Sequence, residues 1–181
     1  MGYWNSRGLR GDLLEEIINM TNEKYIKSNI AIVQKIPTPI KPIKIDKETR
    51  HIKLAYFEKK STVDYIGVVQ GIPICFDAKE TGLNSIPISN IHEHQIEFMD
   101  KFEKQGGLAF LIVFFSKYDK YKIITFEILR KFYKDAIIGG RKSIPYTAID
   151  EKYIIENSGG KYLNYLETLN TYLTEKDDLK K

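Results

Sequence analysis

Two acidic residues and a lysine form the pattern in this chain that is best suited to chemistry. Asp64 lies near the start of one short apolar run, and Asp77 and Lys79 lie at the end of the next. Two carboxylates held together beside an ammonium group repel one another and make a poor packing contact. Carboxylate oxygens are, however, the ligands that a divalent cation prefers. The three residues therefore predict a metal site, provided that the fold brings them together.

The two apolar runs predict a β-hairpin that would do this. If Gln70-Gly71 forms the turn, Val69 pairs with Ile72, and counting outward places Asp64 opposite Asp77. Side chains alternate along a strand, so the lysine two residues after the second acid shares its face. Gln-Gly is a weaker turn sequence than Asn-Gly, and a bulge would shift the pairing by one residue. The alternative is a surface hairpin whose charges are simply solvated.

Composition indicates a single globular domain. The chain has 181 residues, 43% hydrophobic and 29% charged, enough for one buried core. Its net charge of +4 favours an anionic partner only weakly. A lone cysteine, Cys75, excludes an internal disulfide; we interpret it as a buried small hydrophobe, although a nucleophile is conceivable. No apolar stretch approaches about 18 residues, so we expect a cytoplasmic protein with no membrane segment.

Periodicity predicts an α/β domain with a mixed central β-sheet flanked by helices. Residues 1–11 are expected to be mobile, residues 12–174 to form the domain, and residues 175–181 to be a frayed charged tail. Within the domain we predict helices at residues 12–27, 90–104, 127–136 and 161–174, a short helix after residue 147, and strands at residues 29–35, 107–116 and 121–126, besides the hairpin. Asp12 and Ser89 are the expected N-caps.

A basic segment at residues 36–60 interrupts this order. It begins Ile36-Pro37-Thr38-Pro39, which suits neither a central strand nor a helix. Connections of this length are often functional, and we interpret the segment as a protruding arm rather than a solvated insertion without structure.

One polar residue breaks the apolar stripe of the helix at residues 90–104. Gln95 falls among Ile91, Phe98, Met99 and Phe102 at helical spacing. It is either a buried side chain bonded to backbone, or a polar group that faces the same pocket as the two acids.

An acid, a strand and then acid-x-Lys after a leading helix resembles the core of the PD-(D/E)xK nucleases. The longer series resembles the RecU family of Holliday junction resolvases, also called penicillin-binding-protein-related factor A. The matching pieces are Ser6-Arg7-Gly8, Leu14-Glu15, Thr21-Asn22, Tyr25, Pro37-Thr38-Pro39, Ala55-Tyr56-Phe57, Ser61-Thr62, Asp64-Tyr65, Ala78-Lys79-Glu80-Thr81, His92, His94-Gln95-Ile96 and Gly140-Arg141-Lys142-Ser143-Ile144. They follow one another in family order from about residue 6 to 145.

The resemblance implies a restriction-endonuclease-like core and roles for particular residues. It places the Mg²⁺ ligands, for which Mn²⁺ is a plausible substitute, at Thr62, Asp64, Asp77 and Gln95. It makes Lys79 the lysine that stabilises the transition state. Glu15 matches an acid that many members of the wider superfamily bring to the site, with the adjacent Glu16 as the alternative. The arm corresponds to a stalk that inserts at the junction centre between the subunits of a homodimer, with Arg50 at a basic position of that stalk.

The chain departs from the family pattern at several points. Val63 replaces the nominal proline, and Asp77 stands where the family usually has Glu. The loop before His92 is one residue shorter, and no match extends beyond Ile144.

From these residues we predict a Mg²⁺-dependent endodeoxyribonuclease that resolves four-way DNA junctions by paired symmetric nicks in recombination and repair. Another nuclease with this core, acting on duplex or ends, and a non-catalytic junction-binding module are the alternatives. Further recombination proteins are possible partners. Phosphate contacts are expected from Arg7, Arg10, Lys41, Lys44, Arg50, Arg141 and Lys142.

Overall fold

A computed structural model describes residues 7–57, 62–158 and 162–178. The helices are α1 Arg7–Lys27, α2 Glu93–Lys104, α3 Phe126–Ile137 and α4 Tyr165–Asp178. The strands are β1 Ala31–Lys35, β2 Ile40–Ile45, β3 Ile52–Phe57, β4 Tyr65–Val69, β5 Ile72–Thr81, β6 Ser85–Pro87, β7 Leu108–Phe115, β8 Lys120–Thr125, β9 Ser143–Pro145, β10 Ile154–Ile155, β11 Asn157–Ser158 and β12 Tyr162–Leu163.

A six-stranded sheet in the order β1-β4-β5-β7-β8-β10 forms the centre of the fold. Strands β5 and β7 run parallel, whereas the other neighbouring pairs are antiparallel. The predicted α/β fold with a mixed sheet is confirmed. Strand β7 coincides with the longest apolar run of the sequence, and only one of its side chains is not fully buried, as expected for a strand covered on both faces.

Aromatic side chains pack against one another on one face of this sheet. Tyr65, Phe76 and Phe110 stack across β4, β5 and β7 with ring centroids 4.7 and 4.9 Å apart, and Tyr165 of α4 packs on Phe76 at 5.4 Å. The Tyr65 hydroxyl donates to Asn19 Oδ1 of α1 at 3.0 Å. Helices α1 and α4 thus cover this face. Because side chains alternate along β5, the residues on either side of Phe76 point to the opposite face, which carries the predicted site.

Two predicted helix starts are wrong. Helix α1 begins at Arg7 rather than after Asp12, so the predicted mobile segment is partly helical. The two glycines in this first stretch lower helix propensity and hid the extension. Helix α2 begins at Glu93 with His92 as its N-cap, because Ile88–Asn90 forms a separate 3₁₀ turn in place of the cap predicted at Ser89.

The C-terminal part also differs from prediction. The short helix after residue 147 is a pair of 3₁₀ turns, Tyr146–Ala148 and Glu151–Tyr153, followed by short strands. Helix α4 begins at Tyr165 and continues to Asp178, so part of the predicted frayed tail is ordered. Glu175 accepts from the Tyr153 hydroxyl at 2.7 Å, and Lys176 binds Glu103 at 3.0 Å. These long-range contacts hold the last turns, and residues 179–181 lie outside the described part of the chain.

The predicted arm contains a two-stranded antiparallel ribbon. Strands β2 and β3 pair from Ile40↔Phe57 to Ile45↔Ile52 and form a sheet of their own. A bulge interrupts the ladder near Pro42, which cannot donate a hydrogen bond. Eleven of the twelve strand residues of the ribbon are exposed, the exception being Ala55, and their side chains are apolar or basic. The alternative of an insertion without structure is therefore wrong for residues 40–57.

Asp46 organises the turn at the tip of the ribbon. Its Oδ1 accepts hydrogen bonds from the backbone amides of Glu48 and Thr49 at 3.0 Å, and Oδ2 pairs with Lys53 at 2.5 Å. The Lys53 ammonium and the two amides lower the pKa of Asp46 to about 2. Arg50 closes the turn with a φ of 58°, in the left-handed region. The Asp46 carboxylate thus adds to two backbone hydrogen bonds, Asp46 to His51 and Arg50 to Asp46, that close the tip.

We expect Asp46→Ala to loosen this turn without unfolding the domain. Amide exchange at Glu48 and Thr49 should accelerate roughly tenfold, the loss expected for a side-chain cap. In the unaltered chain, a lowered carboxyl pKa stabilises the turn above about pH 4, and this order is lost as pH falls from about 4 towards 2. Exchange measured by NMR tests both, with Glu156→Ala as an exposed control. Unchanged exchange in Asp46→Ala would show that the backbone alone holds the turn.

Candidate active site

The hairpin has the register that the sequence predicts. Gln70 and Gly71 have φ values of 48° and 90°, as a type I′ turn requires. Pairing runs from Val69↔Ile72 to Tyr65↔Phe76, and one further step brings Asp64 beside Asp77. No bulge shifts this ladder.

Hydrogen bonds lock the two acids together. The Asp64 amide donates to Asp77 Oδ1 at 2.8 Å, and the Ala78 amide donates to Asp64 Oδ2 at 3.0 Å. Lys79 Nζ lies 3.1 Å from Asp77 Oδ2, so the ammonium shares the face predicted for it. Asp77 is fully buried, and Lys79 is 19% exposed. The alternative of a solvated surface hairpin is therefore wrong.

Burial and neighbouring charges both act on the Asp64 carboxyl group. Its pKa is raised, first by burial and then by repulsion from Asp77. Lys79, the Ala78 amide and Lys35 act in the opposite direction. Two carboxylates this close repel one another when both are ionised. A bound cation would offset this repulsion, so the site favours one.

One buried oxygen is left with capacity for such a cation. Asp77 Oδ2 is buried and accepts no hydrogen bond from the described residues. Lys79 is close enough to this oxygen for an ion pair but lies outside hydrogen-bond geometry. A hard divalent ion prefers oxygen ligands of this kind, so the residues fit Mg²⁺. Thr62, a further predicted ligand, is exposed and lies two residues before Asp64.

Asp64 borders a cavity of about 540 Å³ at the end of β1. Its lining consists of Glu15, Gln34, Lys35, Ile36, Pro37, Thr38 and Asp64. Glu15 is partly buried here and pairs with Lys35 at 2.5 Å, whereas Glu16 is exposed. Of these two adjacent acids, Glu15 is therefore the one at the predicted site.

Lys35 is a site residue that the sequence reasoning missed. It ends the edge strand β1 and pairs with Tyr65, which places its charge next to Asp64. A lysine just before a proline-rich arm gives no signal by itself. Pairing β1 with the hairpin would have revealed it.

Gln95 has one of the two environments predicted for it. It is 5% exposed, and its Oε1 accepts a hydrogen bond from the His92 amide at 3.0 Å, closing the first turn of α2. Its oxygen is thus engaged by backbone, as in the first alternative. The cavity lining does not include it, and its role as a metal ligand stays a prediction.

The predicted phosphate-binding residues fall into three groups. Lys41, Lys44 and Arg50 are exposed on the ribbon. Arg141 and Lys142 are exposed beside β9, away from the cavity lining, with Arg141 Nε donating to Ser143 Oγ at 3.4 Å. Arg7 and Arg10 lie in the first turns of α1, and their side chains are outside the described part of the structure.

Cys75 is fully buried beneath the site. Burial is the main cause that raises the pKa of its thiol, with Asp77 and Glu103 adding to the effect. A thiol kept protonated is a poor nucleophile, so the interpretation as a small hydrophobe is favoured. No helix in the described part of the chain is long and apolar enough to cross a membrane.

Comparison with known proteins shows the family. The sequence profile of recombination protein U (RecU) matches residues 9–171. The Holliday junction resolvase RecU of Pediococcus pentosaceus is 42% identical over 167 residues, which is 90% of this chain and 83% of that protein. The RecU of Bacillus cereus is 39% identical, covering 90% and 84%, and that of Limosilactobacillus reuteri is 40% identical, covering 92% and 84%.

These matches show that the chain belongs to the RecU family. The profile match extends past Ile144, so the C-terminal part, unassigned from sequence, belongs to the same family unit.

Proposed function

We propose that this chain is a Holliday junction resolvase that cuts four-way DNA junctions in a reaction dependent on Mg²⁺. The observation that carries the proposal is the hydrogen-bonded pair Asp64 and Asp77, with Lys79 alongside and one buried carboxylate oxygen that accepts no hydrogen bond from the described residues. The names of its RecU relatives support the substrate. Family membership supports action in the cytoplasm, in recombination and repair.

The residues divide the chemistry of phosphodiester hydrolysis between them. Asp64 and Asp77 would hold Mg²⁺, with Thr62 and Gln95 as further candidate ligands, and Mn²⁺ could substitute. Bound there, the ion supplies Lewis-acid polarisation of the phosphate and a lower pKa for its bound water. Lys79 would stabilise negative charge that grows on the phosphate oxygens. Lys35 and Glu15 set the charge at the cavity wall beside Asp64.

The ribbon is the proposed junction-binding element. Residues 40–57 carry five basic and two acidic side chains, a net +3 with His51 neutral, against +4 for the whole chain. Positive charge on a protruding hairpin suits a site where several phosphate backbones converge. Phe57 and Tyr56 are 75% and 48% exposed, and aromatic faces stack on unpaired bases. Recognition would then depend on junction shape rather than base sequence.

A homodimer would place two such sites across the junction. The four-way junction has approximate two-fold symmetry, which a two-fold dimer can match. Each site would then cut one of two opposed strands, leaving 5′-phosphate and 3′-hydroxyl ends. Other recombination proteins remain candidate partners.

The test compares a mobile four-way junction with linear duplex of equal length, each with Mg²⁺ and with a chelator. The proposal predicts cleavage of the junction alone and only with the metal. Equal cutting of duplex and junction would favour a nuclease that acts on duplex or ends. Binding of the junction without cutting would favour a non-catalytic junction-binding module.

Truncating the ribbon should separate junction binding from duplex binding. Ile40 and Phe57 are cross-strand partners, so Asn-Gly can replace residues 41–56 and close the hairpin at that pair. Losing the basic ribbon should weaken junction binding roughly 10–100-fold and lower its salt dependence, while duplex binding changes less than about threefold. Titration of both DNAs at two salt concentrations measures this. Equal losses on both would contradict a junction-specific arm.

A further inference from the structure

The arm is joined to the core at the catalytic cavity itself. Residues 36–39, here called the arm root, follow directly from strand β1 and lead into the ribbon. The Ile36 amide donates to the Asp64 carbonyl at 2.8 Å, which extends the β1–β4 ladder by one step. No further pair of this ladder follows in the described residues, and the next residue is Pro37.

Two hydrogen bonds connect this anchor to both acids. Asp64 accepts from Ile36 through its carbonyl and donates through its amide to Asp77 Oδ1. The backbone of Asp64 therefore lies between the arm root and the buried carboxylate. A shift of the root would move Asp64, and the distance between the Asp64 amide and Asp77 Oδ1 would change with it.

The arm root also forms a wall of the cavity. Ile36, Pro37 and Thr38 line it together with Asp64 on the opposite strand. A phosphate placed in this cavity would touch the root and Asp64 at once. The root thus contributes to the shape of the space in which the reaction would occur.

The root is stiff, whereas the ribbon beyond it is separate from the core. Two prolines fix φ within residues 36–39, and the residue before each proline is restricted to extended backbone. Strands β2 and β3 pair only with each other in the described part of the chain. The root, which hydrogen-bonds to Asp64 through Ile36, is therefore a stiff connection between the ribbon and the core.

We infer that the arm root is a positioning element that couples junction binding by the ribbon to divalent-ion binding at Asp64 and Asp77. The inference rests on the proposed function, and it adds that junction DNA and the metal ion strengthen each other's binding. Coupling of this kind is reciprocal and typically amounts to about 5–150-fold in affinity. Linear duplex, which does not engage the arm, would not produce it.

The test measures Mn²⁺ affinity by electron paramagnetic resonance of the free ion. The protein carries Lys79→Met, so that cutting of DNA is slow on the timescale of the titration while both acids are retained. It is titrated alone, with a four-way junction, and with linear duplex of equal phosphate number, and DNA without protein supplies the background. We expect Mn²⁺ to bind at least about 5-fold more tightly with the junction than with the duplex.

A root variant then locates the coupling. Pro37→Gly with Pro39→Gly loosens the root, and Pro73→Gly, an exposed proline of β5, is the matched control. In the root variant, the ratio of the Mn²⁺ affinities with junction and with duplex should fall to about one, whatever the affinity without DNA. The control should keep the ratio of the unaltered root. Thermal melting establishes that each variant is folded.

Three outcomes separate the possibilities. Equal Mn²⁺ affinity with junction and duplex in the Lys79→Met protein overturns the inference, even if the root variant does not fold. Coupling that survives in the folded root variant overturns the role of the root. Absence of Mn²⁺ binding under all conditions overturns the proposed metal site, and the inference with it.

Discussion

Asp77→Asn is expected to abolish junction cleavage while leaving junction binding intact or tighter. The substitution keeps the shape of the side chain and an oxygen that can accept from the Asp64 amide, but it removes the buried charge that would hold the metal. We expect the cleavage rate to fall at least about 10³-fold, which corresponds to about 4 kcal/mol of lost transition-state stabilisation. One repulsive charge near the DNA phosphates is lost at the same time, so affinity should not fall.

Single-turnover cleavage and gel-shift titration of the same junction measure the two effects. Asp119→Asn is the matched control, because it removes one carboxylate from an exposed turn whose φ of 50° suits asparagine. The control should cleave at the unaltered rate. Cleavage by Asp77→Asn within threefold of that rate would remove Asp77 from the metal site.

Lys79→Met should slow cleavage roughly 10²–10³-fold without weakening metal binding. The change removes the ammonium that would stabilise charge on the phosphate. Loss of one such electrostatic group typically slows an enzyme by this factor. Lys79 also pairs with Asp77 in the structure and therefore competes with a cation for that carboxylate. Mn²⁺ affinity should stay the same or increase, an outcome that a purely structural role would not produce.

Lys117→Met, in the exposed turn between β7 and β8, is the control for loss of one positive charge. A Lys79→Met protein that binds Mn²⁺ more weakly and melts earlier would show that the lysine supports the fold. Cleavage at the rate of the Lys117→Met protein would exclude it from the reaction.

The sequence was sufficient for the geometry at the end of the hairpin, because short-range contacts decide it. A two-residue turn sets the register, and the register sets which side chains face one another. Asp64, Asp77 and Lys79 could thus be placed before any long-range contact was known. Asp77, where the family usually has Glu, still reaches the Asp64 amide at 2.8 Å, so the shorter side chain keeps the two acids in contact.

Other features depend on contacts between distant parts of the chain. Lys35 becomes a site residue only when β1 pairs with β4, and no local pattern encodes that pairing. Gln95 could be placed on the inner side of its helix, but the hydrogen bond to the His92 amide depends on where α2 begins. Helix α4 extends to Asp178 because Lys176 reaches Glu103, a contact between residues 73 positions apart.

The arm lies between these cases. Its prolines and basic residues predicted an arm, and residues 40–57 form an exposed ribbon with a sheet of its own. Its ribbon was not predicted, since the prolines argue locally against strands. Asp46 at the tip offsets the effect of the prolines, because its hydrogen bonds stabilise the turn between β2 and β3.

The central claim is that the site at Asp64, Asp77 and Lys79 cuts four-way junctions. The most direct measurement maps every cut on all four strands of an immobile junction, each strand labelled in turn, in Mg²⁺ and with a chelator. The account predicts nicks at symmetric positions on two opposed strands, with 5′-phosphate ends, which require Mg²⁺ and are absent with Asp77→Asn. Cuts scattered over all four strands, cuts that persist without metal, or cuts that survive Asp77→Asn would contradict it.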